Sequence, residues 1–268
     1  MNYMKKEKKK MTLTIKKPSG KAEGFHGILY GEPGTGKTST ADDPEFKTLL
    51  LDLEGGSSVL SEATNTDIIE INTWEDLVEA GKSIKQGFFE TSSGKVPCTY
   101  DMIFIDSITR LQDLCKEYVV RVVAPNRRRE IQTKFGAMAD WGDLKDLVVG
   151  LAKSFHSLTK RGEDSIHVVW IAHKDVNKDD VTGNVTSTKI QVQGGNTAEI
   201  LMSIVDGVFY MFKKTDEQDK TKTLYGLLTD THGVFSAKIR QSKKREKLPH
   251  VIYNPVWSEI LEKLGYKN

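Results

Sequence analysis

Eight residues constrain this chain more than any others: Gly31-Glu32-Pro33-Gly34-Thr35-Gly36-Lys37-Thr38, entered from the apolar run Ile28-Leu29-Tyr30 and followed by Ser39-Thr40-Ala41. The stretch fits G-x-x-x-x-G-K-[ST] in full. Its glycines let the backbone close tightly, so that successive N–H groups point inward at phosphate oxygens. Lys37 then reaches the β- and γ-phosphates, and the Thr38 hydroxyl is set for Mg²⁺. Residues Gly31 through Ser39 are therefore the expected nucleotide cradle. A helix starting near Gly36 would add its positive end, and it has to be short because Asp42-Asp43-Pro44 stops it. The competing reading is a glycine-rich turn with a chance Lys-Thr, which requires four fixed positions to coincide behind an apolar run.

A chain of 268 residues has room for one sizeable core with a small appendage. No run approaches the roughly 18 apolar residues of a membrane span. The start has no apolar stretch behind its lysines, so a secretory signal is not expected. Cys98 and Cys115 lie on unrelated segments without metal-ligand spacing, which fits a reducing, cytoplasmic setting. Net charge is +2, but it is unevenly spread. Residues 1–21 hold eight lysines against Glu7, and residues 1–20 read as a flexible basic arm ahead of one domain at 21–268. Lys238, Arg240, Lys243, Lys244, Arg245 and Lys247 form a second cluster, and Arg121 with Arg127-Arg128-Arg129 a third. Such clusters suit a polyanion partner or a solvated surface.

Three apolar runs without polar alternation read as parallel strands buried on both faces: 47–53, 100–105 and 166–172. Shorter strands are expected at 25–30, 68–71 and 207–212, with helices at 73–87, 108–121, 140–160 and 197–204. Asn72 with Glu75 resembles a capping box. Residues 88–99, 122–139 and 174–193 read as loops, 223–229 with 234–239 as a hairpin, and Asn254-Pro255 as the cap of a last helix with Trp257, Ile260, Leu261 and Leu264 on one face and Gly265 closing it. Strands alternating with helices behind a phosphate loop predict an α/β three-layer domain with a mainly parallel sheet and a C-terminal β-hairpin at its edge.

In an open parallel sheet, functional groups gather beyond the carboxyl ends of the strands. Asp106, after Met102-Ile103-Phe104-Ile105, is placed to hold Mg²⁺ opposite Thr38, or else to cap the next helix. Ser107 either joins the Mg²⁺ shell or caps that helix. Hydrolysis also needs a carboxylate that the cation does not occupy, and Glu54, two residues beyond Asp52, is the candidate base for the attacking water. Asp52 reads as a supporting residue. His173 ends the fourth buried strand, where a neutral imidazole either reports on the γ-phosphate or bonds a backbone carbonyl.

These features together resemble the RecA-like ATPase core, and within it the compact bacteriophage recombination or single-strand-annealing ATPases, over roughly residues 22–250. The resemblance rests on Gly31–Thr38, Leu50-Leu51-Asp52-Leu53-Glu54, Ile105-Asp106-Ser107, Trp170-Ile171-Ala172-His173 and Gly194-Gly195-Asn196, in that order. It implies ATP as the nucleotide, Glu54 as catalytic glutamate and Asp106 as the Walker B aspartate. It puts His173 where recombinases carry a glutamine that couples the γ-phosphate to DNA. It further implies DNA-binding loops at 122–139, with Arg127, Arg128 and Arg129, and at 174–193, with Lys174, Lys178 and Lys189. Lys238 and Arg240 match most closely the basic residue that a neighbouring subunit presents to the γ-phosphate. The implied partners are single-stranded DNA, further copies in a ring or filament, and a single-strand-binding protein, in a bacterial host cell if the chain is phage-encoded.

The expected function is an ATPase that binds single-stranded DNA and supports recombination or annealing. A nucleotide-switched replication or packaging factor, acting through protein partners, is the alternative. A small-molecule kinase fits less well, because no acceptor lid with paired arginines is visible and Glu54 sits where a hydrolytic base belongs.

Overall fold

The structure, a computed structural model, describes residues 24–127, 134–241, 243, 245 and 247–266. The predicted basic arm at 1–20, together with Arg128 and Arg129, lies outside them. Twelve strands run in chain order among the described residues: β1 (His26–Gly31), β2 (Thr48–Asp52), β3 (Thr66–Glu70), β4 (Phe88–Thr91), β5 (Gly94–Pro97), β6 (Met102–Asp106), β7 (His167–Lys178), β8 (Val185–Ile190), β9 (Gly207–Thr215), β10 (Thr223–Leu228), β11 (Lys238–Ile239) and β12 (Val251–Tyr253). The helices are α1 (Trp74–Gln86), α2 (Ile108–Tyr118), α3 (Ala124–Asn126), α4 (Met138–His156), α5 (Thr197–Ile204) and α6 (Trp257–Leu264). The central sheet has the order β12-β10-β9-β1-β7-β6-β2-β3. From β9 to β3 every pairing is parallel, and β10 and β12 add an antiparallel edge.

Continuous apolar strands arise here because both faces are covered. Ile28 and Tyr30, Leu49 and Leu51, Ile103 and Ile105, and Val168 and Trp170 face a core roofed by α1, α2, α4 and α5. The intervening Leu29, Leu50, Phe104, Val169 and Phe209 face a second core. That side is thinly covered, by α6 and by single 3₁₀ turns contributing Ala41 and Leu60. The expected three layers are present, but the helices are divided unequally between them.

Several local expectations are corrected. The box that starts α1 is Thr73 with Asp76, one residue on from the predicted pair. Residues 88–99 hold the small hairpin β4–β5 rather than a loop. The helix after Ser107 does not stop near 121; it continues through a π turn at Val119–Val123 and α3 to Asn126. Much of 174–193 is an antiparallel hairpin, β7 with β8. Finally, β10 and β11 do not pair with each other as a hairpin. Both pair with β9, and β12 closes the edge.

Trp257 is the anchor of the thin layer: it is buried against Phe25, Phe104 and Phe209 at ring-centre distances of 6.0, 6.2 and 5.6 Å. Its indole N–H has no hydrogen-bond partner among the described residues. Trp257→Ala is expected to cost about 3–5 kcal/mol in urea unfolding. Trp257→Phe costs much less, since no hydrogen bond is lost; equal losses for the two variants would contradict this.

Candidate active site

The phosphate loop leaves β1 beside β9, and only glycine fits at its first position. A Cβ on Gly31 would lie 2.2 Å from the Met211 carbonyl oxygen. Gly34 and Gly36 take positive φ values of 72° and 82°, which place the turn outside the range of most side chains. The Thr35 hydroxyl donates to the Glu32 carbonyl at 2.8 Å and ties the loop across itself. Lys37 spans the same loop, its Nζ donating to the carbonyls of Glu32 at 2.8 Å and Gly31 at 3.2 Å. Burial lowers the Lys37 pKa, while Asp106, Glu54 and Glu32 pull it back. The chain then makes one 3₁₀ turn, Thr38–Ala41, instead of the expected short helix, because Asp42 turns extended. The cradle therefore relies on local N–H groups rather than on a long helix dipole.

Sheet register gathers the acidic groups. Gly31 lies opposite His173, and Asp52 opposite Asp106, at the carboxyl ends of neighbouring parallel strands. The Thr38 hydroxyl donates to Asp106 Oδ2 at 2.5 Å. Burial, with Glu54 and Asp52 nearby, pushes the Asp106 carboxyl up to about 6 against the Thr38 hydrogen bond and Lys37. Asp52 is spent on structure: Oδ1 accepts the N–H groups of Glu54 at 3.1 Å and Gly55 at 2.8 Å, and Oδ2 accepts that of Ser57 at 3.0 Å. It shapes the turn that carries Glu54 over the site. The Glu54 carboxylate accepts the Ser107 hydroxyl and contacts His173 Nε2 at 3.0 Å. Ser107 also caps α2 by accepting the Arg110 N–H at 3.2 Å, so it caps the helix and holds Glu54 at once.

This donor set fits Mg²⁺. Thr38 and Asp106 offer two hard oxygens on one side of the cradle, and no group of three His, Cys, Asp or Glu among the described residues forms a protein cage. Mg²⁺ keeps several waters and phosphate oxygens and is held by few protein groups. A buried carboxylate with a raised pKa beside two others is a place where added positive charge is favourable.

A family model described as an AAA domain matches residues 23–241. The chain belongs to the AAA domain family. It has a P-loop ATPase core. Among solved structures it is similar to the RadB recombinase, at 16% identity over 87% of each chain with a TM-score of 0.40. It is also similar to a KaiC-like protein from the hyperthermophilic archaeon Pyrococcus horikoshii, at 13% identity over 87% of this chain and 91% of that one, with a TM-score of 0.42. A search of curated proteins gives no match.

The other expected residues are distributed over both ends of this AAA domain. Lys174 does not project into a loop; it pairs with Glu32 on the rim of the phosphate cradle. Lys189 pairs with Glu199 at 2.8 Å, and Arg127 pairs with Asp143. Lys178 sits at the exposed end of β7. Lys238 and Arg240 lie at the opposite end of the sheet from the cradle, since β11 pairs with Val208 and Gly207 at the start of β9. There the Arg240 guanidinium donates to the Ser203 carbonyl at 2.5 Å and lies 3.5 Å from Asp206. Neither residue reaches the phosphate loop of its own chain.

Sequence reasoning missed the cleft on the other flank of the loop. Gly36, Ser39, Thr40, Met211, Tyr225 and Pro255 line a space of about 240 Å³ in this AAA domain. The Tyr225 ring stands 3.2 Å from where a Cβ on Gly36 would be. Asn254, at φ 48°, holds that tyrosine's backbone, donating to its carbonyl at 2.6 Å and accepting its N–H at 3.3 Å. An aromatic face beside a phosphate cradle suits a nucleobase. Nearly 190 residues separate Gly36 from Tyr225, so no local pattern links them; Asn254-Pro255 reads in the sequence as the cap of the last helix, but α6 starts behind Val256 and Asn254 holds Tyr225 instead.

The raised Asp106 pKa gives a signed prediction. Its folded value of about 6 exceeds the ordinary 3.8, so the native state binds this proton more tightly than the unfolded chain does. The stability it contributes is complete below about pH 4 and is lost as pH rises through about 6. In nucleotide-free protein, Asp106→Asn should flatten the fall in denaturation midpoint across that window. An unchanged slope would mean that Asp106 is not perturbed.

Proposed function

We propose that this chain hydrolyses ATP to ADP and phosphate, binds single-stranded DNA as a homo-oligomer, and supports recombination or strand annealing, as the compact phage ATPases that it resembles do. Residues 21–268 serve as one ATPase domain in this reading. The observation that carries it is the position of Glu54. Its carboxylate follows the end of β2, a different strand from that of Asp106, is held by Ser107 and His173, and lies near enough to Lys37 and Asp106 to act on both electrostatically.

Each step falls to a residue of the chain. Lys37 leaves the carbonyls of Gly31 and Glu32 and moves to the β- and γ-phosphates as they enter. Thr38 and Asp106 would hold Mg²⁺, which would supply positive charge to the phosphate oxygens. Glu54 orients a water in line with the terminal phosphate and accepts its proton. His173, through Nε2, fixes the direction of that carboxylate and ties it to β7. Lys238 and Arg240, remote from their own cradle, are available to a neighbour's.

DNA contact in this reading falls chiefly to Arg127, Arg128 and Arg129, with Lys178. Arg127 is well exposed beside its carboxylate partner, where phosphates can compete for it. One observation favours the second reading, a nucleotide-switched factor acting on protein partners. Residues 174–193 carry Lys174, Lys178 and Lys189 against Asp175, Asp179 and Asp180. With two of those lysines paired, that segment has no excess positive charge to offer a nucleic acid.

ATP turnover measured with and without single-stranded DNA across a salt series separates the two. Stimulation that fades with salt supports the DNA-dependent ATPase; turnover indifferent to DNA, with no DNA bound in the presence of ATP, supports the protein-directed switch. Glu54→Gln should retain ATP and lose about 10²–10⁴-fold in turnover. Rapid turnover in that variant would remove Glu54 as the base. Replacing Arg127, Arg128 and Arg129 by Ala should weaken DNA binding and leave basal hydrolysis intact; unchanged affinity would take them off the DNA path.

A further inference from the structure

We propose that Lys213 and Tyr225, neighbours across β9 and β10, form a second wall of the nucleotide site, with the Lys213 ammonium held for the phosphate chain and the Tyr225 ring for the base. The inference rests on the ATPase reading and deepens it by naming two binding residues from the late part of the chain.

The antiparallel register sets Lys213 directly opposite Tyr225, and Met211 opposite Leu227. Side chains alternate along a strand, so Lys213 shares a face with Met211 and Phe209, and Tyr225 with Leu227. Those three apolar residues belong to the core that also takes Ala41, from the turn after the phosphate loop. Lys213 and Tyr225 therefore lie on the same side of the sheet as that turn, and their distances to the loop agree. Lys213 Nζ is 3.8 Å from where a Cβ on Gly34 would be, and the Tyr225 ring is 3.2 Å from where one on Gly36 would be. The Met211 methyl, 3.5 Å from the latter point, supports both from the preceding position on that face.

Both side chains are available to a ligand. Among the described residues no carboxylate pairs with Lys213, whereas Lys174, Lys189 and Lys214 each have one. An ammonium without an anion of its own, beside a turn shaped for phosphate, makes strong charge-assisted hydrogen bonds when phosphate oxygens arrive. Tyr225 is 37% exposed and lines the cleft of about 240 Å³ together with Gly36 and Pro255. Asn254, the only non-glycine residue at positive φ among those described, bonds the tyrosine backbone through both its N–H and its carbonyl. With its backbone fixed in this way, the ring gives up little freedom when a base stacks on it. Cation and ring thus stand side by side, as do the anionic and aromatic parts of a nucleotide. Both reach the cradle of their own chain, in contrast to Lys238 and Arg240.

The test is calorimetric binding of a non-hydrolysable ATP analogue and of inorganic tripolyphosphate, each with Mg²⁺, to the full chain and four variants. Tripolyphosphate offers the phosphate chain without the base. Lys213→Gln should weaken both ligands by about tenfold, and Lys213→Arg should restore most of that loss. Tyr225→Ala should weaken the analogue by about tenfold or more and leave tripolyphosphate within about twofold. Tyr225→Phe should bind both as the wild type does. Tripolyphosphate that fails to bind the wild type, or that binds Lys213→Gln equally well, overturns the assignment of Lys213. If Tyr225→Ala weakens both ligands alike, the ring only props the loop and its role at the base is overturned. A wild-type chain that binds no ATP analogue would overturn the ATPase reading beneath the proposal; one that binds it without these differences among the variants overturns only the second wall.

Discussion

Four neighbouring parallel strands carry their polar ends to one side of the sheet in two pairs, Gly31 with His173 two residues beyond Asp106 with Asp52, and the chemistry of this molecule depends on that register. In-register pairing of β1 with β7, and of β6 with β2, sets Gly31 beside His173 and Asp106 beside Asp52. A slip of one residue in any of these strands would turn its polar end toward the opposite face. The alignment is enforced from below, because each strand is apolar on both faces and each face is buried. Packing in the core thus fixes the positions of groups that packing alone would exclude. Two buried carboxylates, Asp52 and Asp106, lie near a third, the exposed Glu54, and the raised Asp106 pKa records the cost. A nucleotide with its cation relieves that cost, so the site is less stable without its ligand than with it.

The unequal division of helices has a consequence for the nucleotide. Where the chain leaves the phosphate loop, it makes a single 3₁₀ turn and no long helix packs beneath it. The last part of the chain fills that space. β9 closes against Gly31, β10 brings Tyr225 beside Gly36, and α6 buries Trp257 under the sheet. The Ser258 N–H donates to Asp43 Oδ2 at 2.9 Å and fastens α6 to the turn after the loop. The site is opened by residues near the start of the fold and completed by residues near its end.

What was legible in the sequence is what local chemistry determines. The phosphate loop needs glycines at stated places, a doubly buried strand needs a continuous apolar run, and a carboxylate at the end of such a run has a short menu of roles. Gly31–Thr38, Asp106 and Glu54 were found on those grounds, and the structure brings them together. The misses depend on partners distant in sequence. The polar segment after His173 reads as a loop, yet β8 pairs back onto an extended β7. Alternation is weak there because most of the hairpin is solvated. β10 and β11 look like consecutive hairpin strands, but both are drawn to the longer apolar β9. Lys174 and Lys189 are DNA-binding candidates through the resemblance, and their carboxylate partners, Glu32 and Glu199, lie on other elements. Charge is visible in a sequence; its neutralisation is not.

The most direct measurement is a structure determined with Mg²⁺ and a non-hydrolysable ATP analogue. It should show Lys37 released from the Gly31 and Glu32 carbonyls onto the phosphates, and Glu54 hydrogen-bonded to a water in line with the terminal phosphorus. A Glu54 carboxylate still bound to Ser107 and turned away from the phosphates, with no water between them, would contradict hydrolysis by this arrangement.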